Sequence, residues 1–209
     1  MRALGLSALA LLCGSLEVGC ALTSKADALS PRYFNPEAAS STRSQAAPQP
    51  YELRLGQVSS ASHLDERISY RLSAAEVGFY DDRRWTELPE AYLRRALERE
   101  LFEERRLTRV IAGFAPVLDV ELTAFEELRQ AKKVRVSLTF SLRDERRSLL
   151  ERSVQLEAPL ASGPGDEAQR VSQALASTLA DAVRSIGAEV VQRLTQTPMP
   201  APKPELPPG

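Results

Sequence analysis

The side chains able to do chemistry in this sequence are few and scattered. The one histidine, His63, lies in a polar stretch with Ser59 and Ser60 just before it. A catalytic triad needs a nucleophile beside a base and a third group to orient that base, and no G-x-S-x-G turn presents either serine. A lone imidazole also falls short of a zinc site, which takes three or four protein ligands. Adjacent carboxylates stand at Asp65-Glu66, Asp81-Asp82 and Glu103-Glu104. Paired acids cleave glycosides when held at a suitable separation, but neighbouring acids at element ends more often form turns or face water. Arg83-Arg84 follows Asp81-Asp82 directly and would neutralise it. No P-loop, G-x-G-x-x-G or H-E-x-x-H pattern occurs. The expectation is no catalytic residue, no metal site and no cofactor.

The only cysteines, Cys13 and Cys20, lie in the first twenty residues. The rest of the chain therefore has no thiol for a disulfide, a thiolate nucleophile or a soft metal ligand. Arg2 is a minimal positive start, and Ala3–Leu12 is an uncharged apolar run, too short to span a bilayer as a helix. Gly14-Ser15 breaks it, and Val18-Gly19-Cys20 follows. This order resembles a bacterial lipoprotein signal, in which small residues precede a cysteine that is acylated and becomes the first mature residue. Glu17 departs from the pattern, where leucine is usual. Ordinary signal-peptidase cleavage near Cys20 is the plainer alternative. Residues 1–19 are thus read as a signal and Cys20 as the lipidation site. More than one acyl chain makes such an anchor stable where a single chain is marginal.

Of 209 residues, 43% are apolar and 26% charged, the mix of a globular domain. Lysine and arginine number 27 against 28 acids; removing Met1–Gly19 takes one of each, leaving 26 and 27. No basic excess exists to release counterions from nucleic acid, which is excluded as a partner. Residues 20–50, rich in Ala, Ser and Pro, read as a flexible tether, and 196–209 as a proline-rich disordered tail.

The body, 51–195, carries the periodic signals. Tyr51, Leu53 and Leu55 alternate, as do Ile68, Tyr70 and Leu72, and Val77–Tyr80 forms a third short strand ended by Asp81-Asp82. Thr86 is expected to cap a helix with Pro89 in its first turn and Leu93, Leu97 and Leu101 on one stripe, widened by Tyr92, Ala96 and Phe102. Leu118, Val120 and Leu122 mark a strand. Val134–Leu142 and Leu150–Leu156 alternate as a hairpin around a charged turn. Gly163-Pro164-Gly165 breaks the chain, and Asp166 with Gln169 opens a long helix striped by Val171, Leu175, Leu179, Ala182, Ile186, Val190 and Leu194. The fold class is α/β in the α+β sense: a mixed, largely antiparallel sheet with two main helices packed on one face.

Trp85, the only tryptophan, sits where strand meets helix. A core plug is the plain reading. The sharper one is a partner-contact surface of Arg83, Arg84 and Trp85, residue types enriched in binding hot spots.

Arg67-Ile68-Ser69-Tyr70-Arg71, then Glu76–Asp81, then Arg84-Trp85 with Pro89, resemble the auxiliary lipoproteins of ABC-type lipid transporters, the PqiC/YmbA family. Leu118–Leu122 with Phe125, the closing hairpin and the alanine-rich helix fit the same pattern. The resemblance spans Tyr51–Leu194. It implies a domain similar to the amino-terminal domain of TolB, in a lipid-anchored protein on the periplasmic face of the outer membrane. It also implies partnership with an MCE-domain periplasmic protein and an ABC permease and ATPase in lipid transport, with assembly into homo-oligomeric rings. A structural envelope lipoprotein, tying the outer membrane to another periplasmic assembly, is the alternative.

Overall fold

The computed structural model describes residues 30–37, 47–163 and 166–196. The expected signal, Cys20, most of the tether, Pro164-Gly165 and the tail from 197 lie outside them. The elements are β1 (Arg32–Phe34), β2 (Glu52–Ser60), β3 (Arg67–Arg71), β4 (Val77–Trp85), α1 (Pro89–Glu98), a π-helical turn (Arg99–Glu104), β5 (Thr108–Arg109), β6 (Val117–Leu128), β7 (Lys133–Arg143), β8 (Ser148–Pro159) and α2 (Glu167–Gln196).

The sheet is built on β6. One edge of β6 pairs antiparallel with β7 along its whole length, and β7 pairs antiparallel with β8. Along the other edge β2 and β3 lie end to end, both parallel to β6: Arg54–Ser60 against Val117–Leu122, then Ser69–Arg71 against Glu126–Leu128. Beyond β3 come antiparallel β4 and then parallel β1, while β5 lies outside β2. The two longest ladders are thus antiparallel within a mixed eight-stranded sheet, as expected from the order of strands and helices.

Alternation decides the faces. Val134, Val136, Leu138, Phe140 and Leu142 are buried, and the intervening Arg135, Ser137, Thr139 and Ser141 are half-exposed on the opposite face. Helix α2 covers the apolar side of β7 and β8 with the expected stripe, every residue of which is buried. Helix α1 lies beside it over β2 and β6, with its Leu93 and Leu97, and Leu101 of the π-helical turn, wholly enclosed. Both helices therefore share one face of the sheet.

Four expectations need correction. Arg32–Phe34, inside the segment read as tether, is an edge strand on β4. Strand β4 does not end at Asp81-Asp82 but runs to Trp85. Thr86 does not cap α1. Leu88 is the N-cap without a side-chain bond and Pro89 opens the helix, where its missing N–H costs nothing. Thr86 Oγ1 instead meets the Tyr92 hydroxyl at 2.7 Å, and the Glu87 N–H donates to that hydroxyl at 2.9 Å. Finally, α1 passes into a π-helical turn, where Arg105 N–H reaches back five residues to the Glu100 carbonyl at 2.8 Å. Asp166 does cap α2, accepting from Ala168 N–H at 3.0 Å.

Candidate partner-contact surface

Arg83, Arg84 and Trp85 follow one another in β4 but do three different jobs. Between the pairs Arg67–Arg84 and Ser69–Phe79, β3 has only Ile68, whereas β4 has Tyr80, Asp81, Asp82 and Arg83. Strand β4 therefore bulges, and the bulge removes the Tyr80 carbonyl from the β3 ladder. Arg84 Nη1 donates to that carbonyl at 2.9 Å and to the Arg83 carbonyl at 3.1 Å. At Tyr80 the guanidinium stands in for a ladder partner that the bulge has removed. Arg83 lies over the Tyr80 ring at 3.9 Å, with its Nε 3.8 Å from Asp82 Oδ1.

Trp85 is 2% exposed. Its ring packs against Phe125 at 5.3 Å and Tyr92 at 6.4 Å between centroids, in the tilted and edge-on arrangements aromatic pairs prefer. The three-residue contact surface is thus corrected: Trp85 is a core residue, because its strand continues past the acids and turns that position inward. What remains at the surface is the β1–β4 edge, where Tyr33 is exposed and Arg32 joins Asp166 at the start of α2. The Arg32 guanidinium, helped by the Ala168 N–H, holds the Asp166 carboxyl below its ordinary range.

Sequence reasoning passed over Glu126 and Glu127, and both are buried. As neighbours in a strand they point to opposite faces, so they share no cleft. On the outer face Glu126 Oε1 accepts from Arg71 Nε at 2.9 Å and Arg135 Nε at 2.9 Å, while Oε2 has no hydrogen-bond partner. On the helix face Glu127 accepts from the Tyr80 hydroxyl, and Arg129 Nε donates to the same phenol oxygen at 3.2 Å. Arg129 also stacks over Tyr70 at 4.1 Å. The Tyr70 ring lies flat across Gly78, where a Cβ would come within 2.5 Å of it, so this packing needs glycine there. Burial, and then Glu127, push the Tyr80 phenol up to about 12. The available signal was two acids interrupting a strong alternation, with arginines at 71, 129 and 135 to match them.

Both carboxylates are thus held within the fold, Glu126 by two arginines and Glu127 by a tyrosine. His63 is exposed. Asp65 is used in its own turn, accepting from Arg67 N–H at 2.7 Å. Among the described residues no cluster of three or more His, Cys, Asp or Glu could hold a metal. An open cleft of about 370 Å³ lies between α1 and α2, lined by Tyr92, Ala96, Leu179 and Val183 together with Arg95 and Asp181.

Residues 34–183 match the model of a family described as the ABC-type transport auxiliary lipoprotein component. The chain resembles the crystal structure of protein XCC0632 from Xanthomonas campestris, of family DUF330, with a TM-score of 0.66 at 18% identity, over 79% of this chain and 97% of that one. A second crystal structure, of an uncharacterized protein, matches with a TM-score of 0.59 at 18% identity, over 77% of this chain and 99% of the other. At these identities the likeness is one of fold. No curated protein matches the chain significantly.

Proposed function

The chain belongs to the ABC-type transport auxiliary lipoprotein family, and from that premise we propose that it is a non-catalytic accessory subunit of an ABC/MCE-type system moving phospholipid between inner and outer membranes. Cys20 carries the acyl chains, and the body stands on the periplasmic face of the outer membrane. Its partners are an MCE-domain periplasmic protein and the ABC permease and ATPase, and it works as a homo-oligomer.

The observation that carries this reading is the extent of the family match. It begins at residue 34, within the edge strand β1, and ends inside α2, covering almost the whole described body. The chemistry is consistent with it. Buried carboxylates are committed to arginines and a tyrosine. ATP hydrolysis then belongs to the partner, and this chain contributes position and surface.

The test is phospholipid transfer in cells. Labelled phospholipid should move between the membranes more slowly when the chain is deleted, and a Cys20→Ser chain should fail to restore the rate. An unchanged rate on deletion would contradict the reading.

A further inference from the structure

The connection from β5 to β6 inverts the usual composition of a loop. Val110-Ile111-Ala112-Gly113-Phe114-Ala115-Pro116 contains no polar side chain, although surface loops are ordinarily polar. Ile111 is 86% exposed and Phe114 74%. Single exposed apolar residues are ordinary, but two large ones within four residues are not. The other exposed large hydrophobics among the described residues, Tyr33 and Leu88, belong to other elements. Gly113 adopts φ +106°, which lets the tip turn sharply, and nothing approaches within 4 Å of where its Cβ would be. The loop is therefore a convex finger with two apolar side chains at its end.

Its base is charged. Val117, the first residue of β6, is flanked by Arg54 of β2 on one side and Arg143 of β7 on the other. Arg109 ends β5, and Arg146 and Arg147 lie in the turn after β7. Acids are present as well: Arg109 pairs with Glu98, Arg143 with Asp119 and Arg147 with Asp144, and Glu145 is exposed. Arg54 and Arg146 pair with no carboxylate among the described residues.

We propose that this loop is a membrane-contacting tip, in which Ile111 and Phe114 enter the boundary between headgroups and acyl chains of a phospholipid bilayer while Arg54 and Arg146 lie against anionic phosphates. A protein partner would need a cleft shaped to this finger. A bilayer accepts a protruding apolar tip anywhere on its surface, favours an aromatic ring at that depth and attracts the unpaired cations. The inference stands apart from the transport reading, since the loop can bind lipid whether or not lipid is moved.

The experiment uses the full chain with Phe114→Trp, reconstituted into vesicles of phosphatidylethanolamine and phosphatidylglycerol. Brominated acyl chains are placed either in the vesicle carrying the protein or in added protein-free vesicles. Native Trp85, enclosed in the core, gives a background measured on the unsubstituted chain. The introduced indole should shift to the blue and lose emission to bromine in at least one arm. Ile111→Asp in the same chain should abolish that loss, and Arg54→Gln with Arg146→Gln should weaken it on anionic vesicles but not on phosphatidylcholine. An indole left unquenched in both arms would overturn the proposal, as would quenching indifferent to Ile111→Asp. So would an indole that shifts only when a membrane protein is added, which would assign the loop to a protein partner.

Discussion

Tyr80 donates its hydroxyl to Glu127 inside the protein, and Arg129 donates to the same phenol oxygen. The interaction joins β4 to β6 across β3 at the level where β4 begins to bulge. It gives a carboxylate that is 2% exposed, and so removed from water, a hydrogen-bond partner.

Burial of Tyr80, and then its bond to Glu127, make alkaline stability specific. The Tyr80 phenol is pushed up to about 12 in the fold, from about 10 in an unfolded chain. Its stabilisation is complete below about pH 10 and is lost as pH rises through 12, an effect of up to roughly 2–3 kcal/mol. Chemical unfolding as a function of pH should show this loss, and Tyr80→Phe should remove that slope while lowering stability at neutral pH. A Tyr80→Phe chain with the native alkaline slope would contradict the assignment.

Trp85 separates a core role from a contact role. Trp85→Ala should destabilise by about 3–5 kcal/mol through the cavity left beside Phe125 and Tyr92, and Trp85→Phe by less. Urea unfolding measures both. A contact residue would leave the midpoint unchanged.

Glu126 predicts an asymmetric cost. Glu126→Ala leaves Arg71 and Arg135 without their shared acceptor and should cost about 3–5 kcal/mol. Glu126→Gln keeps one acceptor oxygen and should cost distinctly less. Equal losses would mean that the charge itself, and not the acceptor, dominates.

In acid the weak point should be β1. The Asp166 carboxyl is depressed by Arg32 first and then by the Ala168 N–H, so its contribution is present above the ordinary aspartate value and fades as pH falls through the lowered one. Protection factors of the amides of Arg32–Phe34 and of the first turn of α2, corrected for the intrinsic exchange rate at each pH, should therefore fall below about pH 4, ahead of those of β7. Asp166→Asn should lower them at all pH values. A uniform loss of protection across the sheet would count against this local clasp.

The legible parts of the fold were those where one face is buried and one wet. Val134–Leu142 alternates because α2 covers alternate residues, and the α2 stripe reads clearly because it is the other half of that contact. Strand β1 was not legible: three residues carry too little alternation, and two of them are exposed. Asp81-Asp82 looked like a stop because the acids occupy a bulge, a feature that interrupts pairing without ending the strand. That bulge also sends Trp85 inward and makes Arg84 a backbone partner, so three adjacent residues that read as one surface are divided among three roles. Cys20 was read from its signal context alone and lies outside the described residues.

The most direct measurement is recovery of the native full-length chain from detergent-solubilised membranes after mild cross-linking, with its companions identified by mass spectrometry. An MCE-domain protein together with an ABC permease or ATPase should be recovered with it, and Trp85→Phe should leave that association intact. The chain recovered alone, even after cross-linking, would contradict its role as an accessory to transport.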